Sequence, residues 1–191
     1  MNSHFYAMLF RMKYIDRWAL MRNTRSENLS EHSLETAFIA HALCVIENKR
    51  FGGAVNAEKA AVLALFHDTP EIITGDLPTP VKYYSTEIKK AYDDMEQVAV
   101  KKLLDFLPED LRPEFEEIYN EQDEYILKIV RAADKLSALI KCRDEIRMGN
   151  REFVLAEQAA LKSIKGLELP AADVFIEEFL PSFSLSLDEQ Q

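Results

Sequence analysis

Apolar residues in this chain recur at spacings of three and four almost from end to end, and β-branched alternation is nearly absent. That period marks one stripe of an α-helix and not a pleated strand, so it predicts an all-α fold. Phe5, Met8, Leu9, Met12 and Ile15 trace a first helix. A polar stretch over residues 22–27 separates it from a second helix. The pattern starts that helix at Ser30 as N-cap, places Leu29 and Leu34 for a hydrophobic staple, and ends it near Asn48, ahead of Gly52-Gly53. A third helix runs from Asn56 to His67, and the most turn-rich stretch of the chain, residues 69–80, follows it. Helical spacing resumes over residues 86–107, 113–120 and 123–148, with Gly149-Asn150 as a fitting C-cap pair. Two shorter helices near residues 152–165 and 171–180 close the chain. With no repeat, linker or composition break, 191 residues predict one domain over 1–191. Its motif-bearing core covers about 6–165, and a C-terminal helix and tail cover 166–191.

The charge balance narrows the function classes. Lys plus Arg is 23 and Asp plus Glu is 33, a formal net charge of −10. An acidic surface of that size repels nucleic-acid polymers and anionic membranes, although a small phosphate-bearing ligand needs only one or two well-placed cations. Cys44 and Cys142 form no CxxC pair, which disfavours a disulfide framework or a Cys-rich zinc site and suits a reducing compartment. The N-terminal apolar residues are interrupted by Arg11, Lys13, Asp16 and Arg17, so no secretory signal is expected there. The longest purely apolar run, Ala60 to Phe66, is far too short to cross a bilayer. A cytoplasmic protein is the expectation. No GxGxxG, GxxxxGK or GxSxG occurs, which leaves dinucleotide, P-loop and serine-hydrolase chemistry without support.

Four side chains stand out by context. His67-Asp68 sits where an apolar helix gives way to the Pro-rich loop, so two ligand-type groups can converge on one point. His32 lies in the first turn of the second helix, beside Glu31. A helical wheel at about 100° per residue turns Asp134 away from Lys128, Arg131 and Lys135, toward the edge of an apolar stripe. A carboxylate in that position needs a partner, and a metal ion is a good one. His41 falls on the opposite side of its helix from His32, so the two cannot share an ion. Singly, each of these four residues has an ordinary structural explanation. Together, His…His-Asp…Asp on three long helices is a rare pattern.

That pattern resembles the HD-domain metal-dependent phosphohydrolases. The residues around it narrow the likeness to the bacterial 5′-deoxynucleotidases of the YfbR type. They are Arg17-Trp18, Ser30-Glu31-His32-Ser33, His67-Asp68-Thr69-Pro70-Glu71, the run from Gly75-Asp76-Leu77-Pro78-Thr79-Pro80 to Tyr83, and Ala132-Ala133-Asp134-Lys135. The resemblance implies an HD-type helical bundle in which His32, His67, Asp68 and Asp134 hold one divalent metal ion. Such a mixed N/O set suits Mn²⁺, Co²⁺, Fe²⁺ or Zn²⁺, with Co²⁺ or Mn²⁺ foremost, and is poor for Ca²⁺. The implied reaction is hydrolysis of deoxyribonucleoside 5′-monophosphates to deoxynucleoside and phosphate. Glu71 would be the general acid or base, and Arg17 the residue that orients the phosphate. Trp18 would stand as a wall against the sugar, crowding a 2′-hydroxyl. Asp76, Leu77, Pro78 and Thr79 would bind substrate, as would His32, Asp68 and Asp134 through the metal centre. A homodimer is also implied. Two alternatives stay open at this point: an HD phosphohydrolase acting on nucleoside triphosphates or guanosine polyphosphates, and a helical protein that binds nucleotide or metal without turnover.

Overall fold

Asn28, not Ser30, starts the second helix. Its side-chain oxygen accepts from the backbone N–H groups of Ser30 and Glu31 at 3.0 and 3.1 Å, and Glu31 Oε2 accepts in return from the Asn28 N–H at 3.1 Å. This reciprocal capping box satisfies donors that a helix start leaves unpaired, and such a cap is worth about 1 kcal/mol. The expected staple is also corrected, because Leu29 is fully buried while Leu34 is half exposed. Moving the cap by two residues fixes His32, whose N–H closes the first helical hydrogen bond onto the Asn28 carbonyl.

The structure is a computed structural model describing residues 2–82 and 84–191, with Thr79 described in its backbone only. The helices are α1 (Phe5–Leu9), α2 (Leu29–Arg50), α3 (Ala57–Phe66), α4 (Glu71–Thr74), α5 (Thr79–Lys82), α6 (Thr86–Leu104), α7 (Arg112–Tyr119), α8 (Glu124–Arg147), α9 (Val154–Gly166) and α10 (Pro170–Glu178). No strand occurs among the described residues, only an isolated antiparallel bridge between Asp16 and Asn28. The fold is all-α.

The chain divides into two compact units. The first comprises Met1–Arg22, Ser26–Ser33 and Leu65–Glu121. Its core gathers Phe5, Leu103, Leu104 and Leu107, with Phe66, Phe106, Phe115 and Tyr119 packed against them. Phe5 meets Phe115 edge to face at 4.8 Å, a geometry that aromatic quadrupoles favour. The first helix is shorter than its apolar stripe suggests. After Leu9 the chain tightens into a 3₁₀ turn over Phe10–Tyr14, then extends to make the bridge. That bridge lays Arg17 beside Glu27, with the Arg17 N–H donating to the Glu27 carbonyl at 2.9 Å.

The second unit comprises Asn23–Arg25, Leu34–Ala64 and Gln122–Gln191. Its long helix α8 begins at Asp123, whose carboxylate caps the N–H groups of Tyr125 and Ile126. It ends at Arg147, two residues before Gly149, which at φ +86° supplies the left-handed turn that stops it. Ile129, Leu136 and Leu139 of α8, Phe153, and Ile164 of α9 are buried to about 1% exposure or less. Within this apolar surrounding, Glu145 accepts from the N–H groups of Thr24 and Arg25, the Thr24 hydroxyl, the Asn150 amide and the Lys141 ammonium. The Lys141 ammonium also donates to the Arg25 carbonyl.

Candidate active site

The geometry converges on one oxygen. Asp68 Oδ2 lies 3.2 Å from His67 Nε2, 3.5 Å from His32 Nε2 and 3.2 Å from Arg17 Nη1. The two imidazole rings stand 5.3 Å apart at 56°, and donor atoms of His32, His67 and Asp68 all fall within 4.8 Å of one another. His32 is fully buried.

Local sequence explains how these groups meet. Helix α3 stops at Phe66, and Thr69 turns the chain: its N–H and hydroxyl both donate to the Phe66 carbonyl, while its hydroxyl also pairs with the Tyr119 hydroxyl at 2.8 Å. The His67-Asp68 step is thereby held outside both α3 and α4, free of helical spacing. His32 enters from the capped start of α2, and Arg17 from the bridge to residue 28.

Glu71 opens α4 instead of continuing α3, because Pro70 is its N-cap. It is buried, the Tyr92 hydroxyl donates to its Oε1 at 3.4 Å, and its Oε2 finds no hydrogen-bond partner among the described residues. Burial, reinforced by the Asp68 and Asp76 carboxylates, pushes the Glu71 carboxyl up to about 9, against the pull of Arg17 and Lys82. The group is therefore a proton carrier at neutral pH in the metal-free protein. Asp76 is also raised, by burial first. Arg17, His32 and a hydrogen bond from the Trp18 backbone N–H hold it down in part, and Asp68 adds to the rise.

The remaining sequence-expected residues fall as follows. Trp18 follows Arg17 in left-handed backbone at φ +60°, and its indole N–H donates to Glu27 Oε2 at 2.7 Å. Leu77 and Pro78 are half-buried in the non-helical segment 75–78, and the Pro78 carbonyl starts α5 by accepting from Val81 and Lys82. The Thr79 side chain lies outside the described residues. Asp134 belongs to the second unit, where it accepts from Lys135 Nζ at 2.8 Å.

Sequence reasoning missed Glu27, Tyr92 and Lys82. Glu27 is buried beneath Trp18 and Arg17, 3.5 Å from Arg17 Nε. Lys82 Nζ sits 4.3 Å from the centre of the Tyr92 ring and donates to Glu96 at 3.0 Å. Only Lys82 carried a signal, as the sole cation in the Pro-rich motif. Glu27 reads as one more polar linker residue.

The donor set fits a divalent transition metal. Two imidazole nitrogens and a carboxylate oxygen, one of the histidines fully buried, match such an ion better than a hard, oxygen-seeking one. Beside that set stand a guanidinium, suited to a phosphate, and a carboxyl whose burial favours its protonated form.

Comparison with known proteins gives concordant results. The family model for YfbR-like 5′-deoxynucleotidases matches residues 4–183. A 5′-deoxynucleotidase of Vibrio vulnificus is 51% identical over 190 residues, covering 98% of each chain. The 5′-deoxynucleotidase YfbR of Escherichia coli is 48% identical over 193 residues, covering 98% of this chain and 96% of its own. Among solved structures, an HD-domain phosphohydrolase of Listeria innocua superposes with a TM-score of 0.84 at 26% identity, covering 100% of this chain and 93% of its own.

Proposed function

The chain belongs to the YfbR-like 5′-deoxynucleotidase family, and from that premise we propose how its own residues carry out metal-dependent hydrolysis of deoxyribonucleoside 5′-monophosphates. The observation that carries the reading is the convergence of His32, His67 and Arg17 on one oxygen of Asp68. His32, His67 and Asp68 would hold the metal, and the Ala-Ala-Asp-Lys motif supports Asp134 as the fourth ligand. When bound, a divalent ion supplies Lewis-acid activation of water and of a phosphoryl oxygen.

The protein's share of the chemistry follows from its side chains. Arg17 presents a fork of N–H donors that matches two phosphate oxygens, and so orients phosphorus for in-line attack. Burial favours the protonated form of Glu71 in the metal-free protein, which suits it to serve as general acid for the departing 5′-oxygen. Trp18 crowds C2′ and disfavours a hydroxyl there. Asp76 and Thr79 bind substrate from the Pro-rich loop, with Leu77 and Pro78 shaping that wall.

Co²⁺ or Mn²⁺ is the metal we favour, on the donor chemistry. The family match runs through both compact units, which supports one domain. A homodimer follows from the family likeness, and sedimentation velocity measures it. A cytoplasmic location is supported by the buried thiols of Cys44 and Cys142, which form no disulfide. No helix among the described residues is long and apolar enough to cross a membrane.

The decisive experiment measures phosphate release from the eight common ribo- and deoxyribonucleoside monophosphates by chelator-stripped protein resupplied with Co²⁺, Mn²⁺, Zn²⁺ or Mg²⁺. Activity should vanish on stripping, return with a transition metal, and favour every deoxyribonucleotide over its ribose counterpart. Release of pyrophosphate or triphosphate from longer nucleotides, without phosphate from monophosphates, overturns the reading.

A further inference from the structure

Glu27 is the least exposed carboxylate next to the substrate-facing pair, and one of its oxygens serves both members of that pair. Oε2 accepts from the Trp18 indole at 2.7 Å and faces Arg17 Nε at 3.5 Å. Its backbone carbonyl takes the Arg17 N–H at 2.9 Å. Oε1 stands 3.9 Å from His32 Nδ1, beyond hydrogen-bond reach. The indole is held against resistance, since Trp18 occupies φ +60°, a region that costs a bulky residue energy and persists only where its surroundings impose it. Two further bonds impose it here: the Trp18 carbonyl accepts from the Met21 N–H at 2.9 Å, and its N–H donates to Asp76. Glu27 Oε2 takes the indole N–H and so anchors the side chain.

We propose that Glu27 is a positioning residue whose single carboxylate fixes the Trp18 indole and the Arg17 guanidinium together, so that discrimination against ribose and orientation of the phosphate are set by one group. Glu27 touches neither the proposed metal nor the reacting atoms and acts through its two neighbours. The inference rests on the functional reading above, in which Trp18 faces the sugar and Arg17 the phosphate. Its chemistry separates the two tasks. A glutamine at this position still offers the indole an oxygen but no longer offers the guanidinium a charge. An aspartate keeps the charge but withdraws the oxygen by one methylene, about 1.5 Å, out of reach of the indole.

The chain's one tryptophan makes the test direct, because all indole fluorescence comes from Trp18. Acrylamide quenching of metal-free, substrate-free protein is measured for wild type, Glu27→Gln, Glu27→Asp and Glu27→Ala, alongside kcat and KM for paired deoxyribo- and ribonucleoside monophosphates. Quenching should rise in the Asp and Ala variants and stay near wild type in the Gln variant. The deoxyribose-to-ribose ratio of kcat/KM should fall about tenfold in the same two variants, the factor carried by one lost charge-assisted hydrogen bond. Glu27→Gln should keep the ratio and lower kcat for both sugars alike, because a less firmly held guanidinium misaligns the phosphate, a split between ratio and rate that a merely structural role would not produce. If Glu27→Ala does not fold, Glu27→Asp carries the same expectation. Unchanged quenching and an unchanged ratio in Glu27→Asp overturn the proposal. If wild type released no phosphate from any deoxyribonucleotide, the functional reading would fall separately, and quenching would still decide whether Glu27 anchors the indole.

Discussion

Glu71→Gln is expected to lower kcat by about 10²–10⁴-fold, the range that a positioned general acid contributes, with little change in KM. The amide keeps the size and the acceptor for the Tyr92 hydroxyl but has no proton to give to the leaving 5′-oxygen. The same substitution should make the metal-free protein more resistant to alkaline unfolding. Burial and the two nearby carboxylates raise the Glu71 carboxyl from 4.5 to about 9 on folding. Between those values the native state holds a proton that the unfolded chain has released, so stability falls as pH rises through that window. A neutral amide cannot ionise and escapes the loss. Thermal midpoints of stripped wild type and variant should therefore diverge from pH 5 toward pH 9, the variant becoming the more stable. A kcat within tenfold of wild type removes Glu71 as the acid, and parallel pH curves remove the account of its burial.

Glu145→Ala is expected to cost about 3–5 kcal/mol, the penalty of stranding a buried charge. For a chain of this size that is a fall in midpoint of roughly 6–20 °C. The substitution leaves the buried Lys141 ammonium without its carboxylate and orphans the N–H groups of Thr24 and Arg25. Adding Lys141→Met should recover the share due to the unpaired ammonium but not the share due to the orphaned amides. Burial alone would raise this carboxyl. Bonds from Lys141, Thr24 and Asn150 outweigh it and hold it far below the usual range. The sign is thus opposite to that of Glu71: the stabilisation is present above about 4.5 and drains away as pH falls below it. Urea titrations at pH 7 and pH 3 measure both effects. A loss under 1 kcal/mol at pH 7 would show that the network is decorative.

The two opposite carboxyls illustrate what the primary structure disclosed. Helical spacing locates α8, and the capping and flanking Asn, Ser, Gly and Pro residues locate α2 and α3, all of them local signals. The shift of the cap from Ser30 to Asn28 is also a local matter. Both Asn28 and Ser30 are good caps, and only the reciprocal bond from Glu31 decides between them. The 3₁₀ turn after Leu9 is illegible in the sequence because an apolar stripe persists when a helix tightens. His32, His67 and Asp68 were legible because ligand-type residues at helix ends are unusual in number and kind, and the fold brings them together. Glu27 and Glu145 were illegible for the converse reason. Each is one Glu among many, and what sets it apart is the set of donors facing it from distant positions. The role of Asp134 still rests on its motif.

His32 and His67 are thirty-five residues apart in sequence, on the start of one helix and just past the end of the next. Unfolded chain therefore has no ready-made chelate, and an ion taken up by these imidazoles binds the folded protein almost exclusively. By mass action, free ion at a hundred times its dissociation constant adds about 2.7 kcal/mol to stability, and each further tenfold adds about 1.4. The melting temperature of this protein then is not a constant of the chain but a reading of the free metal around it. On the proposed ligand set, a cell that starves the protein of its ion would inactivate it and, by the same step, leave it closer to unfolding and proteolysis.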